Sequence, residues 1–259
     1  MRESIAGETL KARRSHLPWL SAVAFAAATA IGAMFMFILQ DPDRARSLGL
    51  LGAKAQLAGG TADWPGYLSL LAQTTAVGGV LIFGVIQIWV FGREFSDHTA
   101  KDLLALPTPR TTIVAAKFTV TGVWCQLLAL ETYTLGLVAG ALLRLPAWSA
   151  SIAWHGLGRL LATAGMTWLL VSVLALAASA GRGYLAAVGV MFLVLFLAQI
   201  IAALGYGHVF PWSVPGVFSG LSGTDTPPVG VPGFVLVGLV GIAGVAATLL
   251  WWATADQSH

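Results

Sequence analysis

The sequence predicts an all-α integral membrane protein with six transmembrane helices. Of its 259 residues, 57% are hydrophobic and only 10% are charged, whereas a soluble globular chain carries about 25% charged residues. The charges are also unevenly spread, because several long stretches contain no Asp, Glu, Lys or Arg. A helix needs about 20 apolar residues to cross the hydrocarbon core of a bilayer, where its backbone polar groups must be satisfied internally. We therefore expect one polytopic domain over residues 1–259.

Six stretches are long and apolar enough to span. Five carry no formal charge, and the third carries only Glu131. In chain order they are residues 19–39, 67–91, 118–143, 160–180, 184–204 and 233–255. The first exceeds the apolar region of a removable signal peptide and is expected to be retained. Residues 1–17, before it, mix apolar and charged side chains at a spacing that favours a helix lying along the membrane surface.

The distribution of basic residues predicts the orientation of the spans. Lys and Arg concentrate in the loops that stay in the cytoplasm. Nine of them lie before span 1 or in the loops that follow spans 2 and 4, with Lys117 counted at the edge of its loop. Five lie in the opposite loops. Both termini are therefore predicted to be cytoplasmic.

The loop between spans 2 and 3 contains an amphipathic segment, residues 93–107. Ser96 or Asp97 is expected to cap a short helix there, and Pro107 is expected to end it. One face of this helix would be formed at i, i+4 and i+8 by Phe95, Thr99 and Leu103. A helix this short is not stable by propensity alone. It is expected to dock on the membrane interface or on another protein.

The connection between spans 5 and 6, residues 205–232, is rich in proline, glycine and aromatic residues. Its only charged residue is Asp225. It is too apolar for a solvated loop and too interrupted for a span. We expect a re-entrant or interfacial hairpin packed on the outer ends of the helices.

Motifs for soluble chemistry are missing from the sequence. It contains no Gly-Lys dipeptide and therefore no phosphate-binding G-x-x-x-x-G-K-[ST] loop. It also contains no H-E-x-x-H and no G-x-S-x-G motif, and its five histidines lack metal-ligand spacing. We expect a non-catalytic subunit that holds no cofactor or metal and does not bind nucleic acid.

A few polar residues within the predicted spans are candidates for lining a conduit. An ionisable group at membrane depth costs several kcal/mol unless it meets a partner or water. The candidates are Glu131, Gln126, Gln73 and Gln87. The alternative is structural, because polar side chains also join helices to one another within membranes.

Residues 91–117, F-G-R-E-F-S-D-H-T-A-K-D-L-L-A-L-P-T-P-R-T-T-I-V-A-A-K, resemble the membrane subunits of type-2 ATP-binding-cassette (ABC) exporters. That family has E-F, a turn, T, two leucines, P-x-x-R and a later lysine. The matching residues are Glu94, Phe95, Thr99, Leu103, Leu104, Pro107, Arg110 and Lys117. A weaker resemblance extends to Glu8 and Lys11 in the basic N-terminal segment, and to residues 210–215.

The resemblance implies a permease whose segment 93–107 is a coupling helix seated on a separate cytoplasmic ATPase subunit. ATP and Mg would be bound by that subunit. The residues implied in the contact are Glu94, Phe95, Asp97, Thr99, Lys101, Leu103, Leu104 and Arg110. A second permease, either another copy or a relative, would complete the assembly in a bacterial cytoplasmic membrane. Spans 2 and 5 carry small residues, such as Gly78 and Ala187, that favour a dimer interface and conduit.

The leading hypothesis is therefore ATP-driven export of an apolar or amphipathic substrate, such as a drug, peptide antibiotic, lipid or ion. One alternative is a secondary carrier driven by protons through Glu131. The other is a membrane immunity or scaffold protein that transports nothing. The carrier would be favoured if Glu131→Gln abolished transport while loss of the coupling segment did not. Failure to recover an ATPase by pulldown would favour the scaffold.

Overall fold

The computed structural model describes residues 1–41, 61–97, 99, 108–221 and 227–254, and its regular structure over these residues is helical. The helices in chain order are α1 (Arg2–Arg14), α2 (Leu17–Gln40), α3 (Trp64–Ser96), α4 (Arg110–Leu142), α5 (Ala150–Ala180), α6 (Tyr184–Ile201), α7 (Val214–Ser219) and α8 (Val231–Thr254). A π-helical turn, Ala202–Tyr206, extends α6.

The six predicted spans are confirmed as α2, α3, α4, α5, α6 and α8. Each is long and apolar enough to cross a membrane. Local sequence signals set several of their starts. Proline lies in the first turn of α2, where its missing N–H costs no hydrogen bond. Asp63 caps α3 by accepting from Gly66 N at 2.8 Å, and Ser149 caps α5 by accepting from Ile152 N at 3.1 Å.

Helices α3, α4 and α5 form the centre of the bundle. In the most apolar 18-residue stretch of each helix, 67%, 61% and 50% of the residues are buried, respectively. The corresponding shares are 28% in α2, 17% in α6 and 28% in α8. The most extensive pairing joins α3 to α5, and α5 also packs along α8, whereas α2 packs on α4. Helix α6 is therefore the span least covered by its own chain.

The segment between spans 2 and 3 begins differently from the prediction. Helix α3 continues through Ser96 and ends at Asp97, so Ser96 does not cap a new helix and Glu94 belongs to the last turns of the span. The apolar sequence up to residue 91 gave no sign of this extension. Lys101, Leu103 and Leu104 lie outside the described residues, and the coupling helix stays a prediction.

The described part of the predicted outer hairpin contains the short helix α7, which packs against α3 and α5. Ser219 O accepts a hydrogen bond from Ser69 Oγ of α3 at 2.8 Å. Ser213 Oγ donates to Ala198 O of α6 at 2.9 Å. Residues 222–226 lie outside the described part, so the re-entrant course of the hairpin stays a prediction.

Candidate functional site

Four charged residues from three helices meet at the end of the bundle that carries α1. We call them the four-charge cluster: Glu8, Lys11, Glu94 and Lys117. The spacing of i and i+3 places Glu8 and Lys11 on one face of α1, where Lys11 Nζ donates to Glu8 Oε1 at 2.9 Å. That face lies against α4.

Lys117 of α4 is the most deeply buried member of the cluster. Its side chain has no exposed surface, although an ammonium has three donors to satisfy. Three acceptors surround it: Glu94 Oε1 at 3.0 Å, Glu8 Oε2 at 3.2 Å and the Val90 carbonyl oxygen at 2.9 Å. Lys117 was predicted to lie at the edge of a loop, but it lies within α4. Without Lys117, eight basic residues lie on the predicted cytoplasmic side and five on the opposite side, so the predicted orientation is unchanged.

Glu94 accepts hydrogen bonds on both carboxylate oxygens. Its Oε1 accepts from Lys117 and, at 2.7 Å, from Lys11. Its Oε2 accepts from Thr99 Oγ1 at 2.8 Å. With 3% of its side chain exposed, Glu94 faces the bundle and not the surroundings. Glu94 is thus paired inside the bundle, and its implied role as an ATPase contact stays a prediction.

The cluster contains two acids and two bases, so its formal charge is zero. Burying a charge is tolerated only when it is paired and hydrogen-bonded, and all four side chains meet this condition. Burial lowers the pKa of Lys11, but the neighbouring Glu8 and Glu94 outweigh burial and hold that pKa above its ordinary value of 10.5. Lys11 is therefore charged across the physiological pH range.

Thr99 joins the segment that follows α3 to the cluster. Its backbone N–H donates to the Glu94 carbonyl oxygen at 2.9 Å, and its hydroxyl donates to the Glu94 carboxylate. Thr99 itself is exposed. It connects a surface segment directly to a buried ion-pair network.

A second set of contacts holds both ends of the same segment against α8. The Phe95 ring packs on the rings of Trp251 and Trp252, with centroids 5.8 Å and 5.7 Å away. At the other end of the segment, Arg110 Nη1 donates to the Trp252 carbonyl oxygen at 3.4 Å. The Trp252 indole N–H in turn donates to Ser179 Oγ of α5 at 3.0 Å. Phe95 near the end of α3 and Arg110 at the start of α4 therefore both contact Trp252 of α8.

The conduit candidates are not brought together into one site. Gln73 Nε2 donates to Ser69 Oγ at 3.2 Å, near α7, and Gln126 of α4 lies beside Gly165 of α5. Gln87 is fully buried in α3, and neither of its amide atoms has a partner among the described residues. The Glu131 carboxylate is only partly buried and forms no hydrogen bond or ion pair with the described part of the chain.

Three members of the cluster were not predicted from the sequence as site residues. Glu8, Lys11 and Lys117 were noted in the family pattern, but no contact was assigned to them. A signal was available for Lys117, because a lysine seven residues after the start of an apolar helix needs a counter-charge in the membrane. Pairing across 109 residues, as between Lys117 and Glu8, leaves no trace in local sequence.

Comparison with known proteins agrees with this architecture. A family model described as ABC-2 family transporter protein matches residues 4–199, a range that includes all four cluster residues. The chain is also similar to a bacitracin transport permease protein of Bacillus licheniformis, with 25% identity over 179 residues. The match covers 69% of this chain and 85% of the relative. The chain thus belongs to the ABC-2 transporter family, as a multi-pass permease subunit of an ABC transporter.

Proposed function

We propose that the chain is the membrane subunit of an ATP-driven exporter, working with a second permease and with cytoplasmic ATPase subunits that bind ATP and Mg. The observation that carries this proposal is that the described residues on either side of positions 100–107, Thr99 and Arg110, are both bonded to the helix bundle. Thr99 is bonded to Glu94 in the four-charge cluster, and Arg110 is bonded to α8. Membership of the family supports an ATPase partner and a permease pair in general.

The physical role of these contacts is to transmit motion. A subunit uses ATP hydrolysed elsewhere only if a contact with the partner differs between nucleotide states. A segment held by ion pairs and aromatic packing passes such a displacement to whole helices, because packed interfaces switch between arrangements and do not deform continuously. The exposed Asp97 and Thr99, with Lys101, Leu103 and Leu104, are the proposed ATPase contacts.

Helices α3 and α6 are the proposed dimer interface and conduit. Helix α6 is the span least covered by its own chain, and its exposed residues include Phe192 and Phe196 at 58% and 65%. An apolar surface of this kind suits an apolar or amphipathic substrate. The similarity to a bacitracin transport permease supports testing peptide antibiotics first.

Co-purification from the native membrane in mild detergent tests the proposal, with mass spectrometry to identify the partners. The variant Leu104→Asp places a charge in the proposed contact. The matched control is Leu142→Asp, at the opposite end of α4, where the leucine is 79% exposed. We expect an ATPase subunit with the wild type and the control, but not with Leu104→Asp.

Recovery of no ATPase with the wild type would overturn the exporter proposal. Transport would then be measured in Glu131→Gln, where a loss would identify a proton-coupled carrier. The substrate is tested separately, by growth of cells that express the assembled transporter on increasing bacitracin. If the wild-type protein assembles with its ATPase but its cells tolerate no more bacitracin than Leu104→Asp cells, bacitracin is not the substrate. That result would leave the ATPase partner unchanged.

A further inference from the structure

A groove of about 290 Å³ lies between α1, the start of α2 and α4, on the opposite side of α1 from solvent-facing Arg14. Ile5, Thr9 and Arg13 line it from α1 at i, i+4 and i+8, which places them on one helix face. This face is next to the one that carries the four-charge cluster. The groove shares no residue with the cluster or with the proposed ATPase contacts.

Apart from Arg13, the walls of the groove present apolar surface and no unsatisfied side-chain donor. The hydroxyls of Thr9 and Thr119 donate to carbonyl oxygens four residues earlier in their own helices, at 2.7 Å and 2.8 Å. The Trp124 indole N–H donates to Ser21 Oγ of α2 at 3.2 Å. Because these donors are already satisfied, the occupant of the groove needs an apolar body.

One charge lies at the α1 end of the groove. Arg13 is the single charged side chain among the lining residues, is exposed and forms no ion pair within the described part of the chain. From this end the apolar wall follows α4 from Thr119 to Leu127, a distance of roughly 12 Å at 1.5 Å per residue. The groove therefore suits an elongated apolar molecule with an anion at one end.

The surroundings place the charged end at the level of lipid headgroups. Trp19, in the first turn of α2, is 65% exposed, and tryptophan is enriched where a bilayer meets water. The deeper residues Val123 and Leu127 are 56% and 58% exposed on a transmembrane helix. Since the groove opens to the bilayer along α4, its occupant arrives from the membrane.

We propose that this groove binds an anionic phospholipid, with one acyl chain along Val123 and Leu127 and the headgroup phosphate paired with Arg13. A guanidinium binds phosphate through two parallel N–H donors. The lipid would hold α1 in place, and α1 carries half of the four-charge cluster. The groove lies on the chain's own surface, and its lipid does not depend on the identity of the transported substrate.

Thermal unfolding in detergent tests the site, with phosphatidylglycerol or phosphatidylcholine of identical acyl chains added to the purified protein. A ligand that binds only the folded state raises Tm, and we expect phosphatidylglycerol to raise it by about 3 °C more than phosphatidylcholine. Arg13→Gln should abolish this difference. Arg14→Gln is the matched control, because it removes the same charge from the next residue of α1 but does not line the groove, and it should keep the difference.

Phosphatidylcholine also carries a phosphate, but its choline cation cancels that charge. Equal shifts with the two lipids would therefore overturn the proposal, because the groove would not select an anionic headgroup. Equal losses in Arg13→Gln and Arg14→Gln would also overturn it, since general attraction to a basic helix would suffice.

Photolabelling gives a readout that does not depend on stability. Phosphatidylglycerol with a diazirine on its acyl chain should label residues 119–127 in the wild type. Leu127→Trp, which fills the groove, should reduce this labelling at least about tenfold, equivalent to about 1.4 kcal/mol of binding. Val138→Trp, at a site of nearly equal exposure, 59% against 58%, should leave it unchanged. Labelling spread evenly over the lipid-facing helices would contradict the assignment.

Discussion

The Nζ atom of Lys117 lies 3.0 Å from Oε1 of Glu94, 23 positions earlier in the chain, and neither side chain is more than 3% exposed. Around this pair, Lys11 and Glu8 complete a neutral set of four charges. Three helices that begin or end at this side of the bundle are thereby joined by electrostatic contacts in a place where water is scarce.

Removal of Lys117 should destabilise the protein strongly. Lys117→Met leaves two buried carboxylates with one lysine, and breaking a buried pair costs about 3–5 kcal/mol. We expect a large drop in Tm in detergent. The double variant Lys117→Met with Glu94→Gln restores neutrality and should recover part of the loss. A single variant as stable as the wild type would show that the cluster contributes little.

Thr99→Val should impair coupling without preventing assembly. The substitution keeps the shape of the side chain but removes the hydroxyl that donates to Glu94 at 2.8 Å. Because valine has nearly the same shape and the other proposed ATPase contacts are unchanged, we expect normal recovery of the ATPase subunit but reduced transport for each ATP hydrolysed. Thr99→Ser, which keeps the hydroxyl, should retain coupling. If Thr99→Val and Thr99→Ser behave alike, the hydrogen bond does not transmit motion.

Lys11 should contribute stability up to strongly alkaline pH. Burial lowers the pKa of Lys11, but Glu8 and Glu94 hold it above 10.5 in the folded state. A raised folded pKa gives stability that is fully present below the unfolded pKa and is lost as pH rises through the folded one. The difference in Tm between wild type and Lys11→Met should therefore be constant below about pH 10 and shrink above it. A difference that disappears near neutral pH would contradict the pairing.

Gly140→Ala should destabilise the end of the bundle opposite α1. A Cβ at Gly140 would lie 2.6 Å from the ring of Trp64, which is itself buried and packed edge-on against Trp148. Overpacking a rigid site costs about 1–3 kcal/mol. Gly78→Ala is the control, because no atom lies within 4 Å of its added Cβ. Alanine at an unhindered helical position stabilises a helix relative to glycine, so Tm should fall only in Gly140→Ala. An equal fall in both variants would show that contact with Trp64 is not the cause.

The helical spans could be predicted from sequence because one physical constraint determines them. Inside lipid the backbone N–H and C=O groups must hydrogen-bond within their own helix, and the side chains must be apolar. Long uncharged stretches such as residues 184–204 meet both conditions. The cap at Asp63 and the proline at the start of α2 follow from similarly local chemistry. Local chemistry thus gives the number and type of elements.

The candidate site could be predicted only in part. The resemblance drew attention to Glu94 and Phe95, but it assigned them to an outside partner, whereas Glu94 pairs with residues 83 positions before and 23 positions after it. Such pairings depend on how the helices pack, and no local pattern encodes that. The continuation of α3 to Ser96 was missed for the same reason, because its polar last turn is stabilised by distant lysines.

The four-charge cluster also has a consequence for biogenesis. A lone lysine within an apolar helix is costly to insert into a bilayer. Both of its carboxylate partners, Glu8 and Glu94, precede Lys117 in the chain, and a chain emerges from the ribosome starting at its N-terminus. The counter-charges have therefore been synthesised before α4 reaches the membrane, so the order of translation supplies Lys117 with its neutralising partners when it enters the lipid.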